Sequence, residues 1–315
     1  MRVIETLEAI RPADYPEGSG VAIGKFDGLH LGHRAILRTL IEGAHAAGRP
    51  AVVLTFANNP LSLLRPELCP RPLMSREQRL EGFEAAGVDD CVMIEFDEAV
   101  ASIPAADFVR DVLVGRLRAK HIIMGADFRF GHRGAGDGGL LRELGERYGF
   151  KAETLQLVAA DGTGEVSSSR VREAVLAGDV EAAGRMLGRS PVVRGEVVRG
   201  DARGREIGFP TANLGGEIEG LVPADGVYAG WAVLGDDDAD PRPAAISVGN
   251  NPTFTPDALS RVEAFLLDFS GDLYGQRIEV RFAHRLRGME RYDSLDALLE
   301  QMRADVVRTR ELLSR

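Results

Sequence analysis

The chain has 315 residues, a formal net charge of −10, and 44% hydrophobic against 27% charged residues, a size suited to two ordinary domains and a profile that excludes bulk disorder. The acidic balance argues against a general nucleic-acid partner, and with no apolar run of about 18 residues no membrane span is expected. MRVIETLEAI has no leader pattern and the two cysteines, Cys69 and Cys91, have no metal-type spacing, so a cytoplasmic location is expected.

Short apolar runs alternate with helical ones in the first 185 residues or so. GVAIGKF reads as a strand. HRAILRTLIEGAHAAG then places Ile36, Leu37, Leu40, Ile41 and Ala44 on one helical face that ends near Gly48. AVVLTF is a second buried strand, and Ser75 with Gln78 predicts a capping box at the start of the next helix. DCVMIEF, a helix after Pro104 and KHIIMG continue the series, and helices in SSSRVREAVLAG and EAAGRMLG close it. Strands separated by helices predict a Rossmann-like α/β domain, a parallel sheet with helices on both faces.

The pattern changes after GRSP. VVRGEVV, GVYAGWAVL, AAISVG, RVEAFLLDF and RIEVRF have a period of two and are separated by Gly, Pro and Asp turns, which predicts an antiparallel β-barrel. A terminal helix from Ser294 is expected to pack through Leu295, Leu298, Leu299, Met302 and Val306. The expected domains are therefore 1–187 and 188–315.

Between the first strand and helix lies GKFDGLHLGH, residues 24–33. Ligands of parallel sheets bind at the carboxyl ends of strands, and the helix that follows offers unpaired N–H groups and a positive dipole end. Gly28 and Gly32 let backbone approach a ligand. His30 and His33, three apart, can donate hydrogen bonds to phosphate oxygens that gain charge during transfer.

This segment resembles the HxGH signature of the nucleotidyltransferase superfamily, in particular the flavin adenylyltransferase module of bacterial bifunctional riboflavin kinase/FAD synthetases. MGADFRFGHRGAGD, residues 124–137, is similar to that family's second motif, and VSSSRVR, residues 166–172, to its Ser-Ser-Thr-x-x-Arg motif, with Ser169 in place of Thr. The resemblance implies an ATP- and phosphate-binding set of Gly24, Phe26, Asp27, Gly28, Asn59, Asp127, Ser168, Ser169 and Arg172, with His30 and His33 catalytic. His132 reads as a surface residue. Relatives carry Pro-His-Pro after the second strand where this chain has ANNP. Asn59 thus stands at the histidine's place, and an amide cannot carry its positive charge. The alternative expectation is therefore a riboflavin kinase with a weakened or inactive adenylyltransferase domain.

In the second half, RGDARGREIGFPTANL, residues 199–214, combines glycine turns with Arg203 and Arg205, and Pro210 stiffens the segment presenting Thr211 and Asn213, oxygen donors suited to Mg²⁺. GFPTANL resembles the Pro-Thr-Ala-Asn motif of riboflavin kinases. That resemblance implies Thr211 and Asn213 as metal ligands and Gly204, Arg205, Gly208 and Pro210 as ATP-binding residues. In RVEAFLLDF the alternation puts Glu263, Phe265, Leu267 and Phe269 on one face, read as an apolar face with a carboxylate at its end. Such a carboxylate can take a proton from a substrate hydroxyl, and the resemblance agrees in making Glu263 the general base. Arg129, Arg133, Arg170, Arg172, Arg203 and Arg205 gather positive charge in these motif segments. Expected substrates are riboflavin, FMN and ATP with Mg²⁺. No nucleic acid or membrane is expected, and self-association is compatible with the sequence.

Overall fold

The computed structural model describes residues 1–156, 166–200, 208–235, 241–249 and 261–314, which divide into two compact units, Met1–Ser167 and Ser168–Arg315. The first unit contains β1 (Arg2–Ile4), β2 (Ser19–Ile23), α1 (Leu31–Ala46), β3 (Ala51–Phe56), α2 (Pro60–Leu64), α3 (Arg76–Ala86), β4 (Asp90–Ile94) and α4 (Glu98–Ser102). There follow α5 (Ala105–Asp107), running on as a wider π-helical stretch Phe108–Arg116, then β5 (Ala119–Gly125), α6 (Gly138–Tyr148) and β6 (Lys151–Leu155). The strands form one parallel sheet in the order β1-β4-β3-β2-β5-β6.

The central strands are continuous buried runs: every residue of β2 and β4 is buried, as are the first five of β3. That is the signature of a sheet covered on both faces. Ile36, Leu37, Leu40 and Ala44 of α1 are buried against one face, while Ile41 is only partly covered. Phe108, Val109, Val112, Leu113 and Leu141 belong to a second core cluster. Ser75 and Gln78 make the expected capping box on α3. The connections run β2 to β3 on one side and return to β5 on the other, so the strand order reverses beside β2. This switch point is where an open α/β sheet has its ligand crevice.

The second unit contains α7 (Ser168–Ala177), α8 (Val180–Leu187), β7 (Val192–Val198), β8 (Ala212–Glu219), β9 (Gly226–Leu234), β10 (Arg242–Gly249), β11 (Arg261–Leu266), β12 (Arg277–Arg287) and the terminal α9 (Leu295–Leu313). Its strands close into an antiparallel barrel in the order β10-β11-β8-β7-β12-β9. The compact units thus separate at 167/168, earlier than the 187/188 seam read from the sequence. Helices α7 and α8 are bonded to β12: Arg285 donates to the Ala177 carbonyl at 3.0 Å, and His284 Nδ1 lies 3.2 Å from Glu181 Oε1.

Two expectations about faces are corrected. Val262, Ala264 and Leu266 fill the barrel core, so Glu263 and Phe265 lie half-buried on its outer face. Beyond the strand, Asp268 takes φ 55°, and the alternation that joined Glu263 to Phe269 is broken. In α9 the expected packing residue Leu295 is 54% exposed. Leu298, Leu299, Met302 and Val306 are half-buried, and buried Asp305 ties the helix to β12, its carboxylate taking three bonds of 2.7–3.1 Å from Arg287 and one of 2.9 Å from Gln301 of the same helix.

Candidate active sites

At the switch point, β2 runs out into a left-handed turn. Phe26 has φ 51°, Gly28 φ 91° and Leu29 φ 44°, and two of these are residues for which such backbone is strained. Strain of this kind persists only where the surroundings hold it, and it gathers at functional sites. The turn delivers His30 as the N-cap of α1, with its Nδ1 accepting the His33 amide at 3.3 Å. That bond places the His30 ring proton on Nε2. The two imidazoles stack with centroids 3.7 Å apart and an interplanar angle of 17°, and Phe26 lies 5.1 Å from His33. His30 is 1% and His33 8% exposed. Burial, then the neighbouring His30, hold His33 well below its usual titration range, so it stands as a neutral ring. Among the described residues its buried Nδ1 has no hydrogen-bond partner, which is unusual for a buried polar atom and marks a place where a ligand would complete the bonding.

Asp27, Asn59 and Asp127 follow the carboxyl ends of β2, β3 and β5. Asp27 accepts the Leu73 amide at 2.8 Å and so ties the turn to the approach of α3. Asn59 follows β3 and caps α2, with its Oδ1 taking the Leu61 amide at 3.1 Å. An Asn suits that position better than a His does. Asp127 follows β5 and is exposed, and His132 is exposed as expected. Ser168, Ser169 and Arg172 open α7, which belongs to the second unit. A residue the sequence reading missed sits beneath the turn. Arg79 of α3, 7% exposed, donates to the carbonyls of Lys25 at 3.2 Å, Phe56 at 2.8 Å and Ala57 at 2.9 Å.

In the barrel, register brings together residues some 50 positions apart. Asn213 of β8 stands opposite Glu263 of β11, and Glu263 opposite Ser247 of β10. Thr211 Oγ1 donates to Glu263 Oε2 at 3.3 Å, and Asn213 Nδ2 to Thr211 Oγ1 at 3.3 Å. Phe209 packs on Phe265 with centroids 5.2 Å apart, so the two aromatics flank the polar group. Gly200 is needed for close approach, because a Cβ there would lie 2.7 Å from Asn213 Oδ1. Gly200 is among the glycines read from the sequence as allowing tight backbone turns around a ligand. Ser247 was not singled out, and strand register would have found it. Gly208, with φ 86°, and Pro210 lead into this group. Gly204, Arg205 and Arg203 lie outside the described residues, as does the 250–260 segment.

One constellation thus stands at the edge of a parallel sheet and the other on a barrel wall. Comparison with known proteins gives the same division. The FAD synthetase family profile matches residues 13–170 and the riboflavin kinase profile residues 187–313. The chain is 38% identical to the bifunctional riboflavin kinase/FMN adenylyltransferase of Pseudomonas fluorescens over 99% of its own length and 98% of the relative's. With the proteins of the same name from Escherichia coli K12 and Bacillus subtilis 168 the identities are 37% (99% and 97% covered) and 32% (91% and 90%). A solved structure called a macrolide-efflux protein from Streptococcus pneumoniae is similar with a TM-score of 0.84 and 31% identity, covering 98% of this chain and 99% of that one. Among the described residues no helix is long and apolar enough to cross a membrane. The chain belongs to the bifunctional riboflavin kinase/FMN adenylyltransferase family.

Proposed function

We propose that the chain phosphorylates riboflavin with ATP to give FMN, then joins FMN to AMP from a second ATP to give FAD and pyrophosphate, with the working division at 187/188. The single observation that carries this reading furthest is the hydrogen-bonded trio Glu263, Thr211 and Asn213, assembled from two strands distant in sequence, within a chain matched end to end by bifunctional relatives. In the barrel, Glu263 takes the proton of the ribityl 5′-hydroxyl as its oxygen attacks the γ-phosphorus of ATP and the bridging P–O bond breaks to release ADP. Thr211 and Asn213 suit Mg²⁺ bound chiefly through ATP. They are neutral oxygen donors beside one carboxylate, and the described residues hold no cluster of three acidic or histidine side chains. When bound, the ion would offset charge on the phosphates, and Thr211 and Asn213 would hold it. Gly204, Arg205, Gly208 and Pro210 complete the ATP loop.

In the α/β domain an oxygen of the FMN phosphate attacks the α-phosphorus of ATP and pyrophosphate leaves. His30 and the neutral His33 donate hydrogen bonds to the oxygens that gain charge, and burial strengthens those bonds. Gly24, Phe26, Asp27 and Gly28 shape the phosphate turn, with Asn59 and Asp127 on its flanks. Ser168, Ser169 and Arg172 supply hydroxyls and a bidentate cation for phosphate. Nothing observed favours the alternative of an inactive adenylyltransferase. Two free thiols, Cys69 and Cys91, support a cytoplasmic location, and self-association is an accessory expectation for light scattering to test. The central test is a pair of variants. Glu263→Gln is expected to stop FMN formation while FAD still forms from supplied FMN, and His30→Ala with His33→Ala to do the reverse. Parallel loss of both activities in either variant would overturn the assignment.

A further inference from the structure

Arg79 is a charged side chain in an unusual setting. An arginine is protonated at all accessible pH, and burying its charge is costly unless it is paired or fully hydrogen-bonded. Here the guanidinium is buried and its described hydrogen bonds go to neutral acceptors: the backbone carbonyls of Lys25, the first residue past Gly24, and of Phe56 and Ala57, at the end of β3, with a weaker contact to the Met93 sulfur at 4.0 Å. It thus bridges the carboxyl ends of β2 and β3, adjacent strands in the sheet. The Lys25 carbonyl is held a second time by Thr55 Oγ1 at 3.1 Å. The peptide so fixed immediately precedes Phe26, the first residue of the left-handed turn.

The same face of α3 meets that turn twice more. Phe83, one turn on from Arg79, packs edge-on against Phe26 with centroids 5.6 Å apart. Gly82, between them on the helix face, leaves the room Leu29 occupies: a Cβ there would lie 2.2 Å from Leu29 Cδ1. Positions i, i+3 and i+4 share one side of a helix. Residues 79, 82 and 83 therefore form a single buttress under the turn of residues 25–29, with Phe26 and Leu29 at positive φ, that carries His30 into place.

We infer that Arg79 is a positioning residue of adenylyl transfer: with Thr55 it locks the Lys25 peptide, and through the turn it sets where His30 and His33 present their ring N–H groups. Transfer reactions depend on placement to within about 1 Å, and a misplacement of that size costs on the order of 100-fold. The inference rests on the FMN adenylyltransferase reading of this domain.

The test uses the full-length chain. Arg79→Met, Arg79→Lys and, independently, Thr55→Ala are assayed for FAD formation from FMN and ATP and for FMN formation from riboflavin and ATP, alongside thermal melting. Arg79→Met is expected to lower kcat for FAD formation by about 10- to 100-fold with a smaller change in KM for ATP, leaving FMN formation within about twofold of wild type. Arg79→Lys, which keeps the charge and some donors, is expected to recover part of the rate, and Thr55→Ala to show a smaller loss of the same kind. FAD formation unchanged in Arg79→Met, or both activities falling together with the melting transition, would overturn the inference. Should Arg79→Met fail to fold, an unchanged kcat in Thr55→Ala would overturn it equally. Wild-type protein that makes FMN but no FAD would instead overturn the reading on which it rests.

Discussion

Gly200→Ala is the sharpest probe of the barrel site, because its effect is steric and its size can be read from one contact. A Cβ at position 200 would meet Asn213 Oδ1 at 2.7 Å, Cγ at 2.8 Å and Nδ2 at 2.9 Å, so neither orientation of the amide escapes it. Ordinary van der Waals contact begins at 3.4 Å, which requires Asn213 to retreat by about 0.7 Å. Its hydrogen bonds to Thr211, both already 3.3 Å, would then be lost, and Thr211 would be left to hold Glu263 alone. A displacement approaching 1 Å in a group that positions phosphate costs up to about 100-fold, and we expect about a 10-fold loss in kcat/KM for FMN formation, or ~1.4 kcal/mol. The assay is FMN production from riboflavin at fixed ATP and Mg²⁺, followed by chromatography, with FAD formation from supplied FMN as the control. FMN formation at the wild-type rate would refute the reasoning that Asn213 must stand where it does.

Asn59→His removes a preferred cap from α2 at a cost of about 1 kcal/mol and is expected to leave FAD formation within about twofold; a large rise in FAD output would revive the weakened-domain alternative. Asp305→Ala leaves the Arg287 guanidinium, whose side chain is 16% exposed, without its carboxylate. We expect about 3–5 kcal/mol of destabilisation, read as a lower denaturation midpoint for the barrel unit. Burial depresses the His33 titration, so as pH falls through about 6.5 the unfolded chain gains a proton that the folded one does not. Stability is therefore undiminished by this group above that pH and declines below it, by up to ~1.4 kcal/mol per pH unit. In denaturant titrations from pH 7.5 to 5.5, His33→Gln should flatten the slope relative to wild type, and an unchanged slope would show that His33 is not held neutral.

The buried strands were legible because a sheet covered on both faces writes itself as unbroken apolar runs, as in AVVLTF and DCVMI. The edge strands were not. Residues 2–4 form only three positions with Val3 exposed, and KAETL, residues 151–155, has no fully buried position, so neither carries a periodicity to read. Glu263 was assigned to the site for a reason the barrel reverses. Its face turns outward from the barrel core, and cross-strand neighbours Asn213 and Ser247, which local alternation does not reveal, stand beside it. Register between strands that are not consecutive is invisible in local pattern. Arg79 escaped notice for a related reason: a charge on a helix is read as solvated, and only the tertiary packing of α3 under the turn shows it facing backbone carbonyls.

The most direct measurement incubates the wild-type chain with riboflavin, ATP and Mg²⁺ and separates the flavins over time. The account predicts that FMN rises first and then gives way to FAD, with one ATP consumed at each step and pyrophosphate appearing only with FAD. FMN that accumulates with no FAD would contradict the role given to the histidine pair, and riboflavin left unconverted would contradict the role given to Glu263, Thr211 and Asn213.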